Sequence, residues 1–256
     1  MRADTALQLR QTSASPRDSP VTERHVSPES MELMEPMEAT EATEPPELAE
    51  ETTHGSRRVL SVGSGPSKAL PAMYAGFELV RLDLDPAVEP DLLLDGRELA
   101  TQEPAQFDAV FCSHNLEHYR RHEVPQVLAG FLHVLRPGGL AQIIVPDLQA
   151  LMQVCITQNL DLEDLLYMAP IGPVRPLDVL FGHAATIAQT GDDFYAHRTG
   201  FSRRSLAGLV AAAGFGPMFV RQDNLELNVV AFAGEPDPEL AALFELPLTQ
   251  TPSTVS

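Results

Sequence analysis

The chain of 256 residues has no tryptophan and only two cysteines, Cys112 and Cys155. Two cysteines are too few for a secreted scaffold held together by disulfides. The sequence also lacks an apolar run near the ~20 residues that a transmembrane helix needs, and no apolar signal segment stands at its start. These absences predict a cytoplasmic protein without a membrane span.

Basic residues are scarce as well. The chain has 17 lysines and arginines against 36 aspartates and glutamates, which gives a formal net charge of −19 at pH 7. The longest basic runs are pairs, such as Arg120-Arg121 and Arg203-Arg204. Because nucleic-acid binding usually requires a basic patch, the charge argues against a nucleic-acid partner.

Residues 1–56 differ in composition from the rest of the chain. They combine Ser-Pro pairs with a glutamate at every third position from Glu29 to Glu50, and Pro36 and Pro45 interrupt any helix. Such a segment cannot bury enough apolar surface to offset its chain entropy. We therefore predict a disordered acidic arm over residues 1–56, or in part an over-extended start of the reading frame.

From residue 57 onward, short apolar runs alternate with helical patterns. This alternation is typical of a parallel sheet flanked by helices and predicts one α/β domain over residues 57–235, followed by a tail over 236–256 with one short helix. Strands are predicted near residues 58–62, 79–83, 91–94, 107–112, 140–145, 217–221 and 226–233, with the last pair antiparallel. Helices are predicted near residues 67–75, 97–101, 122–135, 147–157, 161–168 and 202–213.

The most informative stretch is 58–67, where an apolar strand leads directly into Gly63-x-Gly65. Glycine has no Cβ, so a ligand can approach main-chain N–H groups there. Asp83 ends the next apolar run, and its carboxylate can accept both hydroxyls of a ribose. Lys68 stands where a dinucleotide fingerprint needs a third glycine, so a nucleoside without phosphates fits better. The alternative is a plain strand-to-helix turn.

Further motifs follow this stretch in order, and together they occupy residues 62–66, 82–86, 91–95, 107–118 and 134–139. They resemble those of the class I S-adenosylmethionine-dependent methyltransferases, especially a bacterial group of small predicted methyltransferases with a Ser-His-x-Leu-Glu-His motif. The resemblance covers residues 57–235. It implies an α/β, Rossmann-like seven-stranded sheet, mostly parallel with an antiparallel last strand and helices on both faces. It also implies S-adenosyl-L-methionine as the cofactor.

By the same resemblance, Gly63 and Gly65 would line the methionine part of the cofactor, and Asp83 would hold its ribose. Asp95 would lie near the adenine amino group. Asp85 is the alternative partner of the ribose, although its sequence with the following proline is more typical of a turn. The predicted cofactor-binding residues are Gly63, Ser64, Gly65, Asp83, Leu84, Asp95, Gly96, Ser113 and Leu116.

Histidines are candidates for the chemistry. His114, His118 and His122 stand at i, i+4 and i+8, a spacing that on one continuous helix could imitate a metal site. Cysteine and carboxylate partners at ligand spacing are missing, so we predict no metal. His114 follows the strand at 107–112 and can touch the substrate or act as a base, and His183 is the second candidate for a catalytic role.

Residues 170–200 form a longer connection than usual between a strand and the next helix. Long inserted loops at this edge of a sheet tend to be lids or substrate walls, and the alternative is a surface excursion. The inserted loop has side chains suited to substrate contact, namely Phe181, His183, Phe194, Tyr195, His197 and Arg198.

Methyl transfer from a sulfonium depends mainly on holding the nucleophile near the methyl group in a dry site. An Asn/Asp-Pro-Pro-Tyr/Phe motif is missing, which argues against nucleobase amino groups as acceptors. The sequence therefore predicts S-adenosylmethionine-dependent methyl transfer to oxygen or nitrogen of a small-molecule or saccharide acceptor. The alternatives are a nucleotide-sugar or NAD-dependent enzyme on the same sheet, and a non-catalytic methyltransferase-like module that works through its acidic arm. The sequence leaves the oligomeric state open.

Overall fold

The computed structural model describes residues 56–170, 172–191 and 193–247. The acidic arm predicted over residues 1–56 lies outside the described residues except for Ser56, and so does the end of the predicted tail. Within the described ranges, no helix has the length and apolar character needed to cross a membrane.

Strands and helices alternate along the described chain. The strands are β1 (Arg58–Val62), β2 (Glu78–Asp83), β3 (Leu92–Leu93), β4 (Phe107–Ser113), β5 (Leu135–Pro146), β6 (Tyr167–Ala169), β7 (Gly172–Val174), β8 (Met218–Asp223) and β9 (Glu226–Phe232). The α-helices are α1 (Val124–Val134), α2 (Leu148–Gln158), α3 (Pro176–Phe181), α4 (Ala184–Thr190), α5 (Arg203–Ala212) and α6 (Pro238–Leu243). Short 3₁₀ turns occupy Ala72–Tyr74, Pro86–Val88, Gly96–Thr101, Leu116–His118 and Asp193–Tyr195.

A seven-stranded sheet forms the centre, in the order β3-β2-β1-β4-β5-β9-β8. The pairs from β3 through β5 are parallel, whereas β9 is antiparallel to both β5 and β8. The strand order reverses between β1 and β4, so the carboxyl ends of these two strands open a crevice. This topology confirms the predicted α/β, Rossmann-like fold and its antiparallel last strand.

Alternate residues of the central strands point to opposite faces of the sheet and build two apolar layers. Leu60 on β1 and Val110 on β4 belong to the layer that packs with α1 and α5. Val59 and Ala109, one residue earlier on the same strands, belong to the layer that packs with Tyr74 and α6. All four strand residues are fully buried, as expected of strands that are covered on both faces.

The helix predicted at residues 67–75 is wrong. Only the 3₁₀ turn Ala72–Tyr74 forms there. Pro71 has no N–H to donate within a helix, and its ring disfavours the α conformation at Leu70. The glycine stretch therefore leads into a turn and irregular chain rather than into a helix N-terminus.

The helix predicted at residues 161–168 is wrong for a different reason. Asp164 Oδ2 accepts the Asp161 N–H at 2.7 Å, and Asp161 Oδ1 accepts the Glu163 N–H at 3.1 Å. Such local side-chain bonds compete with helical ones. The chain continues instead into the hairpin of β6 and β7, which the sequence did not predict. The helices predicted at 122–135, 147–157 and 202–213 are confirmed as α1, α2 and α5.

Candidate active site

The glycine stretch after β1 is fixed by main-chain bonds. The N–H groups of Gly63 and Ser64 donate to the carbonyl of Leu82 on β2, at 2.9 and 3.3 Å. Gly65 N–H donates to Asp83 Oδ2 at 2.8 Å, while Asp83 Oδ1 accepts the N–H of Asp85 at 3.0 Å. The Asp83 carboxylate is therefore held beside the glycine turn with further lone pairs available on both oxygens.

Both positions have a positive φ that favours glycine, but only Gly63 also lies against a neighbouring side chain. Gly63 has φ +63° and Gly65 has φ +54°, values that L side chains rarely adopt. A Cβ on Gly63 would overlap the side-chain amide of Asn115, whereas a Cβ on Gly65 would meet nothing within 4 Å. Gly65 thus faces open space that a ligand can enter.

The open space belongs to a first cavity of about 250 Å³ at the crevice between β1 and β4. Its lining includes the predicted residues Gly63, Gly65, Asp83, Leu84, Asp95 and His114. Four other predicted cofactor residues do not line it, namely Ser64, Gly96, Ser113 and Leu116. Leu116 is fully buried in the apolar layer instead, and a Cβ on Gly96 would press on the Tyr119 hydroxyl at 2.5 Å.

Asp95 reaches the first cavity but already has a strong partner. Arg97 binds its two carboxylate oxygens, through Nε at 3.0 Å and Nη2 at 2.6 Å, and also binds Glu123 at 2.7 Å. Burial alone would raise the pKa of Asp95, but the hydrogen bonds and charge of Arg97 outweigh it and lower the pKa below its usual value. Asp95 is therefore an ionised acceptor, and Arg97 is a cation beside the predicted adenine position.

His114 stands at the rim of the first cavity, in a left-handed conformation with φ +48°. Its Nδ1 lies 3.5 Å from Glu117 Oε1, and its Nε2 lies 3.1 Å from Glu226 Oε1. Glu117 and Glu226 raise the pKa of His114 to about 10, although partial burial opposes the shift. The ring therefore carries a positive charge at neutral pH.

A second, larger cavity adjoins the first at His114, which lines both. It encloses about 800 Å³, in the range of small-molecule sites. Apolar walls come from α2 and from β7, and polar groups converge from Asp178, His183, His197 and Glu226. The inserted loop thus supplies part of this wall.

The inserted loop also contributes to the first cavity, through Phe194, Tyr195 and Arg198. Phe181, the remaining aromatic side chain predicted for substrate contact, lines neither cavity and is 63% exposed. The prediction that the loop forms a wall therefore fits five of its six side chains.

Beneath the rim lies Glu117, which is only 1% exposed. Within the described residues, neither of its carboxylate oxygens has a hydrogen-bond partner. His118 and His197 flank it, with their ring centroids 5.0 Å apart. Burial lowers the pKa of His197 below its usual value and outweighs the opposing charge of Glu117.

Sequence reasoning missed much of the site. Tyr119 directly follows the histidine motif, so its place near the crevice could have been predicted from the sequence. Asp178 and Glu226 carry no local signal, because they meet at the second cavity only through the fold. His122 is exposed in the turn before α1, so His114, His118 and His122 do not share one helix face.

The chain is similar to known methyltransferases in both sequence and structure. A protein-family model described as a methyltransferase domain matches residues 35–217. The chain is similar to the structure of an S-adenosylmethionine-dependent methyltransferase from Archaeoglobus fulgidus, with 14% identity, a TM-score of 0.45, and coverage of 70% of this chain and 86% of that one. It is also similar to 1,6-didemethyltoxoflavin-N1-methyltransferase from Burkholderia thailandensis, solved with bound 1,6-didemethyltoxoflavin and S-adenosylhomocysteine. In that case the identity is 20%, the TM-score 0.43, and the coverage 71% of this chain and 72% of that one.

A third similar structure is the CMeT domain of the citrinin polyketide synthase, with 14% identity, a TM-score of 0.45 and coverage of 72% of this chain and 48% of that one. No curated protein matches the chain. The family match covers more than half of the sequence and includes the glycine stretch, the Asp83 strand and the histidine motif. The chain therefore belongs to the methyltransferase-domain family.

Proposed function

We propose that the chain transfers a methyl group from S-adenosylmethionine to an oxygen or nitrogen atom of a small polar acceptor, with saccharides as the first class to test. The observation that carries this proposal is the junction of two cavities at His114. A cofactor in the first cavity and an acceptor in the second would meet at that residue.

The first cavity suits the nucleoside part of the cofactor. Gly65 leaves its N–H side open, and Asp83 offers oxygen acceptors for the ribose hydroxyls. Leu84 would supply an apolar contact, and Asp95, which lines the same cavity, would accept a hydrogen bond from the adenine amino group. When bound, the cofactor supplies an electrophilic methyl group on its sulfonium.

The second cavity suits an acceptor that is small, partly apolar and rich in hydrogen-bond donors. Asp178 and Glu226 are acceptors for hydroxyl or amine protons, while Val179 and Leu225 supply apolar contact. A polyanion would be repelled by these carboxylates and by the net charge of the chain. A saccharide or an amine-bearing metabolite therefore fits better than nucleic acid.

The two predicted catalytic histidines receive different roles in this proposal. His114 is cationic at neutral pH, so it is suited to balance an anionic group such as the carboxylate of the cofactor rather than to remove a proton. His183 lines the second cavity, where its Nδ1 lies 2.9 Å from Thr186 Oγ1. This contact holds the ring, and Nε2 is the atom we assign to accept the acceptor's proton.

The proposal is tested with the full chain and a cofactor labelled in its methyl group. Pools of saccharides, hydroxylated metabolites and amines are incubated separately, and labelled products are identified by mass spectrometry. We expect transfer to one of the small-molecule pools, and none in an Asp83→Ala variant run in parallel. Transfer only to nucleic acid, or no transfer to any pool despite cofactor binding, would contradict the proposed acceptor class.

A further inference from the structure

The buried carboxylate of Glu117 is the least expected group in the described structure. An ionised carboxylate away from water usually requires hydrogen bonds or a cation, because its desolvation is costly. Glu117 is 1% exposed and neither oxygen has a hydrogen-bond partner among the described residues. The nearest positive group, His114, is 3.5 Å from Oε1 and is held more closely by Glu226. His114 therefore offsets part of the charge, and a second cation would satisfy the two oxygens that no hydrogen bond reaches.

Two imidazoles complete a ligand set around it. One ring nitrogen of His118, one of His197 and a carboxylate oxygen of Glu117 all lie within 4.8 Å of one another. Nδ1 of His118 bonds the carbonyl of Ala196 at 3.2 Å, and Nδ1 of His197 bonds the carbonyl of Val179 at 2.9 Å. Each Nδ1 therefore carries the proton, which leaves the lone pair on Nε2 for a metal ion.

This arrangement is the one that metal-binding histidines usually have. Ligating histidines donate their second ring N–H to a main-chain carbonyl or a carboxylate, which fixes the tautomer and the ring orientation. The segments that carry the ligands are also tied together. The N–H groups of Arg198 and Thr199 donate to the main-chain carbonyl of Glu117, at 2.8 and 3.2 Å.

From this geometry we infer that Glu117, His118 and His197 bind one divalent transition-metal ion, for which Zn²⁺ is the best-suited candidate. Two imidazoles and one carboxylate form a set found in catalytic zinc sites, and it leaves a coordination position free. Ligand atoms ~2.0–2.1 Å from a zinc ion stand roughly 3.4 Å apart in a tetrahedral site. Small side-chain rotations would close the present spacing to that value.

The place of the cluster gives the ion a role. His118 lines the first cavity and His197 lines the second, so the cluster lies at the boundary between the two cavities. A metal ion there would bind a hydroxyl oxygen of the acceptor and lower its pKa, which would make it a better nucleophile. This role rests on the proposed methyl transfer, whereas metal binding itself does not.

The test is a titration of the full, untagged chain with Zn²⁺ against a chromophoric chelator, with no cofactor or acceptor present. We expect one tight equivalent that Mg²⁺ and Ca²⁺ do not displace, because those ions prefer sets made of oxygen ligands. Glu117→Gln and His197→Ala should each weaken this site by at least 100-fold. His122→Ala removes one exposed histidine outside the cluster and should change the affinity less than twofold.

Two further measurements separate the metal site from folding and from methyl transfer. Circular dichroism and S-adenosylmethionine titration of Glu117→Gln report whether the variant is folded, and His197→Ala provides a second variant if it is not. X-ray absorption of the zinc-loaded chain should show two imidazoles in the coordination shell. Absence of a stoichiometric site in the wild type, or zinc affinity as high as that of the wild type in both cluster variants, would overturn the inference even if the cofactor binds.

Discussion

The two cavities that meet at His114 are built in different ways. The first includes a turn of main chain, in which Gly63 N–H donates to the Leu82 carbonyl and Gly65 N–H donates to the Asp83 carboxylate, and side chains complete its wall. The second is shaped by side chains of separate elements, including the inserted loop. Main-chain contacts are fixed by the fold and suit one type of ligand, whereas the side chains that line a cavity can be substituted without loss of the fold. We therefore expect the first cavity to determine cofactor use and the second to determine the acceptor.

We expect the largest effect from substitutions of the two glycines in the first cavity. Gly63→Ala introduces both left-handed strain and an overlap with Asn115, and we expect it to lower the free energy of unfolding by about 3 kcal/mol or more. Gly65→Ala suffers only the strain, at a cost of about 1 kcal/mol. Urea unfolding of both variants measures the difference. Equal stability of the two would contradict the packing described around Gly63.

A second test concerns the acceptor side. If His183 accepts the proton, His183→Ala should lower kcat by about 10²–10⁴-fold while leaving S-adenosylmethionine affinity unchanged. Arg203→Ala, on the exposed surface of α5, is the matched control and should leave both quantities unchanged. Steady-state kinetics and a binding titration give the two readouts. A fall in kcat below threefold would remove His183 from the chemistry.

His114, at the boundary between the cavities, should make the stability of the protein depend on pH. The folded-state pKa of His114 is about 10, above its usual 6.5, so its contribution to stability is fully present below about pH 6.5 and is lost as the pH rises towards 10. We expect the wild type to lose more stability between pH 7 and 10 than a Glu226→Gln variant, in which one of the two carboxylates is removed. Denaturant unfolding at several pH values checks this. Parallel pH profiles of the two proteins would show that the ion pair does not form in solution.

We expect the smallest effect, a difference in cofactor affinity, between substitutions of two aromatic side chains of the inserted loop. Phe194 lines the first cavity and Phe181 lines neither. Loss of one aromatic contact corresponds to about 1 kcal/mol, so Phe194→Ala should weaken cofactor binding by about fivefold. Phe181→Ala should change it less than twofold. The opposite ranking in a titration would mean that the loop lies differently when the cofactor is bound.

Much of the first cavity could be predicted from the sequence because its parts are local. Apolar runs at β1, β2 and β4 end in Gly63, Asp83 and the histidine motif, and the parallel sheet brings these ends to one edge. The helix predicted at residues 67–75 also fails for a local reason, because Pro71 disfavours the α conformation at Leu70.

The second cavity and the carboxylate cluster could not be predicted in this way. Glu117 and His197 are 80 positions apart and are joined by the Arg198 N–H bond to the Glu117 carbonyl. Glu226 reaches His114 because β9 enters the sheet beside β5. No periodicity or short spacing encodes such contacts, because they depend on the path of the inserted loop and on the order of the last strands.

One measurement tests most directly whether Asp83 and the glycine turn hold the cofactor. Calorimetric titration of the full chain with S-adenosylmethionine is compared with Asp83→Ala and with the neighbouring Asp85→Ala. We predict micromolar binding by the wild type, loss of binding in Asp83→Ala, and a change of only a few-fold in Asp85→Ala, which removes a turn-capping carboxylate from the same cavity. Undiminished binding by a folded Asp83→Ala variant would contradict the assignment of the cofactor site.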